Sequence, residues 1–171
     1  MPTPEDNTTP EDNTTREYNI VTLHRKIQNS DLYGIDKYLR SKYVNGTLGT
    51  YKRNALHVVA MSGCKEAWVL QEIIDLSEDV NATDIDVTAL MYAAKYAHLE
   101  VVTALVKHPK IRLTVQDRYS KTALDYAHAL DDAHKNNKTE IVKLLGGDAK
   151  VVGGGAAVGG GSERPFGTLK L

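Results

Sequence analysis

The chain repeats itself at a fixed interval of 34 residues. The segment NALHVVA at 54–60 recurs as TALMYAA at 88–94 and as TALDYA at 122–127. A constant period of this length is typical of stacked helical repeats, in which each unit is too small to bury its apolar face alone and buries it against its neighbours. Stacking leaves one long surface made of the positions that differ between units. We therefore expect function on that surface rather than in a catalytic pocket.

Apolar periodicity predicts that residues 18–147 form an all-α solenoid of about four stacked helix-turn-helix units. First helices are expected to begin at the leucines of the repeated motif, Leu23, Leu56, Leu90 and Leu124. Second helices carry apolar residues at a spacing of about three or four, which places them on one helix face. These residues are Leu32, Ile35, Tyr38 and Leu39, then Ala67, Leu70, Ile73 and Ile74, then Leu99, Val102, Leu105 and Val106, then Ile141, Leu144 and Leu145. The links between helix pairs are rich in Asn, Asp, Gly and Ser, which favour short hairpin turns.

Two segments fall outside the periodic region. Residues 1–17 contain a tandem TPEDNT hexapeptide at 3–8 and 9–14, and their polar composition predicts a disordered arm because little apolar surface is available to bury. Residues 148–171 read as a glycine-rich linker and a terminal peptide, which contains Phe166, the single phenylalanine of the chain, with Leu169 and Leu171. We interpret Phe166, Leu169 and Leu171 as a tail recognition peptide. The alternatives are a disordered end and an export address.

Charge and cysteine content restrict the classes of partner and compartment. The formal net charge of −1 gives no reason to expect nucleic acid or an anionic membrane as a partner. No apolar run approaches the roughly 20 residues that a membrane-spanning helix needs. The single cysteine, Cys64, excludes an internal disulfide framework. Because the first residues are polar and lack the apolar segment of a signal peptide, the sequence predicts a soluble, cytoplasmic protein.

The repeated motifs resemble the ankyrin repeat. The family opens its first helix with Thr-Pro-Leu-His-x-Ala-Ala, and TAL with AA at 88–94 is similar to it. His98 with the valines at 101–102 matches the start of the second helix, and DVNA at 79–82 matches the segment before the hairpin. Alanine stands where the family has proline, at Ala55, Ala89 and Ala123. The resemblance implies stacked helix pairs joined by hairpins, with no catalytic activity and no cofactor or metal.

The resemblance also implies which residues meet a partner. In ankyrin proteins the hairpin tips and the adjoining side of the first helices form a concave face. Counting from the motif places these residues on it: Tyr51, Arg53, Ile85, Val87, Tyr92, Lys95, Tyr96, Arg118, Tyr119, Lys121 and Tyr126. Tyrosine and arginine combine large contact area with a polar group and dominate binding hot spots, and the basic residues favour an acidic or extended partner. The alternative is that the tyrosines only complete helix surfaces.

The sequence therefore predicts a non-enzymatic module that binds another protein through this concave face, or its own terminal peptide in cis or in trans. One alternative is an effector that an intracellular bacterium or virus delivers to the host cytosol, which rests on analogy between folds alone. A further alternative is a metal-dependent hydrolase that uses the insertion at 128–134, with His128, Asp131, Asp132 and His134. That insertion lacks a His-x-x-x-His pair, and the chain has no second cysteine, so the zinc signal is weak.

Overall fold

The computed structural model describes residues 13–130 and 134–146, and the regular structure within these ranges is helical. These ranges contain eight α-helices: α1 Asn13–Gln28, α2 Ser41–Val44, α3 Ala55–Ser62, α4 Ala67–Leu76, α5 Ala89–Lys95, α6 Leu99–Val106, α7 Ala123–His128 and α8 Lys135–Gly146. None of the helices in these ranges combines the length and apolarity that a bilayer-spanning segment requires.

The helices stack in two rows. The first helices α1, α3, α5 and α7 pack against one another in succession, and the second helices α2, α4, α6 and α8 form a parallel row behind them. The core lies between the rows and is continuous along the stack. Leu23, Leu56 and Leu90, which recur at nearly one period, are all buried in it. The predicted all-α repeat solenoid is confirmed.

Each regular first helix begins with the same capping arrangement. Asn54, Thr88 and Thr122 precede α3, α5 and α7. Each side-chain oxygen accepts a hydrogen bond from the backbone amide three residues later, at 3.1, 3.3 and 3.4 Å respectively. Such caps satisfy an amide that has no partner inside the helix and contribute roughly 0.5–2 kcal/mol each. The repeated Asn/Thr position of the motif therefore fixes where each first helix starts.

The hairpins that precede the first helices turn through a left-handed residue. Lys52, Asp86 and Ser120 occupy the three tips with φ of 52°, 66° and 58°. In the first hairpin, Leu48 and Arg53 form an isolated antiparallel bridge across the turn. The equal spacing of the tip residues puts the three hairpins in the same orientation, so side chains at matching positions line up from one unit to the next.

Asparagine side chains tie successive units together behind the hairpins. The Asn45 amide nitrogen donates to the Leu76 carbonyl at 2.8 Å, and its oxygen accepts from the Glu78 amide at 2.9 Å. Asn81 makes the same pair of bonds to the following unit, at 2.8 Å each. These side chains satisfy backbone groups of partly buried loops and fix the stagger between units.

The first unit departs from the predicted pattern. A second helix over 32–39 was expected, but this segment contains a 3₁₀ turn, Ile35–Lys37, followed by the short α2. Gly34 adopts a left-handed conformation before the turn, and Arg40 is extended after it. Ile35 and Leu39 are nevertheless buried as the periodicity indicated. At the end of a stack a segment has a neighbouring unit on one side only, and a 3₁₀ turn is enough to cover that side.

Helix α1 extends into the segment that the sequence analysis assigned to the arm. It begins at Asn13 rather than at the predicted Leu23, and it continues through polar, exposed residues to a buried face that contains Ile20, Leu23 and Ile27. The buried face anchors the helix, and propagation costs little once it is nucleated, which accounts for the extra polar turn. The remaining arm residues, 1–12, lie outside the described residues, as does the predicted tail with Phe166, Leu169 and Leu171.

Candidate functional site

Several of the residues predicted to meet a partner form one connected cluster. The guanidinium carbon of Arg53 lies 4.7 Å from the ring centroid of Tyr51 and 5.8 Å from that of Tyr92. The rings of Tyr92 and Tyr96 are parallel to within 8°, with centroids 6.4 Å apart. The first hairpin and α5 thus share a continuous row of aromatic and cationic groups.

The row continues into the last unit. The ammonium group of Lys95 lies 5.6 Å from the Tyr96 centroid and 6.0 Å from that of Tyr126 on α7. On the other side, the ammonium group of Lys121 is 5.9 Å from the same Tyr126 ring. We name this row the aromatic–basic strip, and it comprises Tyr51, Arg53, Tyr92, Tyr96, Lys95, Tyr126 and Lys121. It spans three units of the solenoid.

A carboxylate holds the first part of the strip in place. Arg53 Nε donates to Asp84 Oδ2 at 3.0 Å, and the Tyr92 hydroxyl donates to the same oxygen at 2.6 Å. The Asp84 side chain is only 1% exposed, and its other oxygen, Oδ1, has no hydrogen-bond partner in the described residues. Burial, and then the hydrogen bond to Asp84, raise the pKa of Tyr92. The phenol therefore stays protonated and remains a donor to the chain's own carboxylate.

A second carboxylate holds Tyr126. The Tyr126 hydroxyl donates to Asp117 Oδ2 at 2.6 Å, while the amides of Tyr119 and Lys121 donate to Oδ1 at 2.8 and 2.9 Å. The bond to Asp117, with burial, raises the pKa of Tyr126 to about 12. Burial acts to raise the pKa of Asp117, but the hydrogen bonds from Tyr126 and the two amides outweigh it and leave that pKa lowered. Asp117 is thus ionised, and it accepts hydrogen bonds from its own hairpin and from α7.

The second arginine of the predicted site also has an internal partner. Arg118 Nη2 lies 3.0 Å from Asp86 Oδ2, and both side chains are about half exposed. Arg53 and Arg118 were among the basic residues from which an acidic or extended partner was predicted. Instead, both arginines neutralise carboxylates of the neighbouring hairpin.

The other predicted residues surround the strip without joining it. Ile85 and Tyr119 are exposed at hairpin tips, and Tyr119 is 72% accessible to solvent. Val87 is partly buried and packs against the core, so its first role is structural. The hairpin side of the stack therefore consists of the strip together with the exposed tips of the second and third hairpins.

Comparison with known proteins identifies the family to which this helical stack belongs. A family model described as ankyrin repeats (3 copies) matches residues 23–117 and 56–152, which together cover more than half of the chain. The chain belongs to the ankyrin-repeat family. A sequence search against curated proteins gives no match. Ankyrin repeats generally mediate protein–protein interaction, and the hairpin side just described corresponds to the face that is concave in ankyrin proteins.

The histidines of the ankyrin motifs have structural partners. His57 Nε2 lies 3.0 Å from the Ala82 carbonyl of the next unit, and its Nδ1 lies 2.6 Å from Asn54 Oδ1. His98 Nε2 lies 3.1 Å from the Met61 carbonyl of the preceding unit. Burial lowers the pKa of His57, so the ring stays neutral and serves to link units.

The described residues show no arrangement suited to metal chemistry. Within 13–130 and 134–146 no group of three or more His, Cys, Asp or Glu side chains is placed to hold a metal ion. Asp131 and Asp132 of the predicted insertion lie outside these ranges. A cleft of about 580 Å³ lies at the edge opposite the hairpins, between the loops that follow α1, α3 and α5, and its lining includes Leu32, Cys64 and His98. Burial raises the pKa of the Cys64 thiol, which disfavours the reactive thiolate.

Sequence reasoning missed the two carboxylates that organise the hairpins, Asp84 and Asp86. A signal for them exists in the repeat. The first and third hairpins carry Arg53 and Arg118, whereas the second carries acidic residues and no basic one. Opposite charges at neighbouring hairpins of an ankyrin array predict ion pairs between units, and the structure forms both.

Proposed function

We propose that this ankyrin array is a non-enzymatic module that binds another protein through its concave face. The observation that carries the proposal is the aromatic–basic strip, which runs without interruption across three units. A surface that presents aromatic rings and cations side by side suits a protein partner, because these groups dominate interface hot spots.

The exposed fraction of each tyrosine side chain distinguishes residues that can contact a partner from residues that only hold their neighbours in position. Tyr51, Tyr96 and Tyr119 present large exposed ring areas, whereas Tyr92 is almost buried. Rigid rings on a polar surface contribute contact area at a low cost in conformational entropy. We assign the anchoring role to Tyr51, Tyr96 and Tyr119, and to Tyr92 the role of holding Arg53 and Tyr96 in position.

The test is an affinity capture with the full chain, repeated with Tyr96→Ala/Tyr119→Ala. We expect this double variant to lose the partner, with a cost of roughly 1–3 kcal/mol for each ring. The matched control is Tyr33→Ala/Trp68→Ala, which removes two exposed aromatic side chains away from the hairpins, one after α1 and one on α4. Equal capture by wild type and the Tyr96→Ala/Tyr119→Ala variant would place the interface elsewhere.

The terminal peptide remains a second candidate partner. Phe166, Leu169 and Leu171 would bind the concave face in cis, or that of a second copy in trans. Hydrogen exchange on the full chain tests this: slow exchange of the amides near Leu169 supports self-binding, and fast exchange at all concentrations contradicts it. The effector role in a host cytosol and the metal-dependent hydrolase remain alternatives that no contact within the described residues favours.

A further inference from the structure

Two lysines of the aromatic–basic strip differ from its arginine because they form no ion pair with a carboxylate of residues 13–130 or 134–146. Lys26, Arg53 and Arg118 each form an ion pair with a described carboxylate, whereas neither Lys95 nor Lys121 does. Both of these ammonium groups lie within 6.0 Å of the Tyr126 ring centroid. Two positive charges from successive units thus converge on one ring.

Two carboxylates near Lys121, Asp117 and Asp125, already accept hydrogen bonds from other groups of the chain. Asp117 accepts from the Tyr126 hydroxyl and from two backbone amides. Asp125 Oδ2 accepts from the amide and the hydroxyl of Thr122, each at 2.7 Å. The charge of Lys121 contributes to lowering the pKa of both carboxyls, but neither carboxylate forms an ion pair with Lys95 or Lys121 within the described residues.

Two of the phenols near the lysines already donate to carboxylates of the chain. Tyr92 and Tyr126 donate their hydroxyl protons to Asp84 and Asp117. At the junction of the last two units, the ammonium groups of Lys95 and Lys121 therefore remain cationic donors for a partner. A group that binds there must supply acceptors, and a negative charge satisfies both lysines at once.

We propose that Lys95 and Lys121 bind an aspartate or glutamate side chain of an extended acidic segment in the protein partner, with the segment lying over Tyr96 and Tyr126. This inference rests on the proposed function and names the chemistry of the partner. A carboxylate suits the site better than a phosphate group, because the arginines that would bind phosphate in bidentate fashion are paired with Asp84 and Asp86. Electrostatic complementarity of this kind sets specificity and association rate.

The test uses a fluorescein-labelled hexaglutamate peptide and the full chain, with binding measured by fluorescence polarisation at about 0.1 M salt, where charges about 10 Å apart still interact. We expect Lys95→Gln/Lys121→Gln to weaken binding at least about tenfold. The matched control Lys107→Gln/Lys143→Gln removes the same charge from the second helices, at the end of α6 and within α8, and should change affinity less than about twofold.

Several outcomes would overturn the assignment. Equal losses in the two double variants would show that net charge alone matters. A labelled hexaglutamine peptide that binds as well as hexaglutamate would show that the carboxylates are irrelevant. Displacement of hexaglutamate by inorganic phosphate at lower concentration than by acetate would indicate a phosphate site instead.

The two proposals fail in distinguishable ways. If a captured partner needs Tyr96 and Tyr119 but binds the Lys95→Gln/Lys121→Gln variant normally, the acidic-segment inference is wrong and the proposed function stands. If capture needs neither tyrosine, the proposed function is wrong whatever hexaglutamate does.

Discussion

Arg53 on the first hairpin donates to Asp84 on the second, with Nε and Oδ2 3.0 Å apart, across the boundary between two ankyrin units. At the next boundary Arg118 pairs with Asp86. The middle hairpin therefore supplies both carboxylates, and the outer two supply the arginines. The two pairs have the same chemistry and different burial, since the Asp84 side chain is 1% exposed and that of Asp86 is 55% exposed.

Burial predicts that the two pairs differ in their contribution to stability. We expect Arg53→Met to lower the free energy of unfolding by roughly 1–3 kcal/mol, because it leaves the buried Asp84 carboxylate without its counter-charge. The partial exposure of Arg53 keeps the cost below that of a fully buried pair. Urea denaturation measures this change. In the matched variant Arg118→Met the cost should be under about 1 kcal/mol, as for exposed pairs; equal costs would show that burial does not separate the pairs.

The helices of the inner units were predictable because local and tertiary signals agree there. The leucine and capping positions of the motif recur at one period, and α3, α5 and α7 begin within a residue of the predicted leucines Leu56, Leu90 and Leu124. The first unit was less predictable, since its apolar spacing is helical but its packing environment is that of an end. Ile35 and Leu39 became buried without forming a continuous helix.

The residues of the candidate site were predictable, but their pairing was not. Counting from the motif placed Tyr92, Lys95 and Tyr126 on one face, since stacked units share one register. Whether a basic side chain of this face forms an ion pair depends on whether a carboxylate faces it from the neighbouring unit. That information lies in side-chain positions of Asp84 and Asp86 rather than in the repeat pattern.

A second prediction concerns the position with positive φ that follows the first helix of a unit. Gly63 precedes α4 with φ 73° and ψ 154°, and a Cβ there would lie 2.8 Å from His98 Nδ1. At the equivalent position before α6, Ala97 has φ 57° and is buried. We expect Gly63→Ala to cost about 2 kcal/mol or more, since strain and a steric clash combine.

The reverse change should be nearly neutral. Ala97→Gly relieves about 1–2 kcal/mol of left-handed strain, which offsets the lost methyl burial and the greater freedom of the unfolded chain. The control Ala93→Gly, at a buried position inside α5, should cost about 1 kcal/mol or more. Thermal melts compare the three variants, and a cost for Ala97→Gly equal to that for Ala93→Gly would contradict the strain argument.

The lowered pKa of His24 predicts that the protein loses stability in mild acid. Burial, with a smaller contribution from His57, lowers the pKa of His24 from 6.5 to about 4, and its Nε2 atom has no partner in the described residues. Between these two values the unfolded chain binds a proton at His24 that the folded protein does not. The free energy of unfolding should therefore fall as pH decreases, by about 2 kcal/mol between pH 7 and pH 5 from this residue alone.

Urea denaturation at the two pH values measures this effect. His24→Gln should reduce the difference between pH 7 and pH 5, while the remainder reflects His57, whose pKa is also lowered by burial. The control His128→Gln changes an exposed histidine at the end of α7 and should keep the wild-type difference. A His24→Gln variant with an unchanged pH response would show that His24 takes up its proton equally in both states.

Site-directed photo-cross-linking tests most directly whether the concave face is the binding surface. The full chain carries p-benzoylphenylalanine in place of either Tyr96 or Tyr119 on that face, or in place of Trp68 on α4, which is similarly exposed at 53%. After irradiation in a lysate of the source cells, we expect the same partner adduct from positions 96 and 119 and none from position 68. An adduct from position 68, with none from positions 96 and 119, would contradict binding through the concave face.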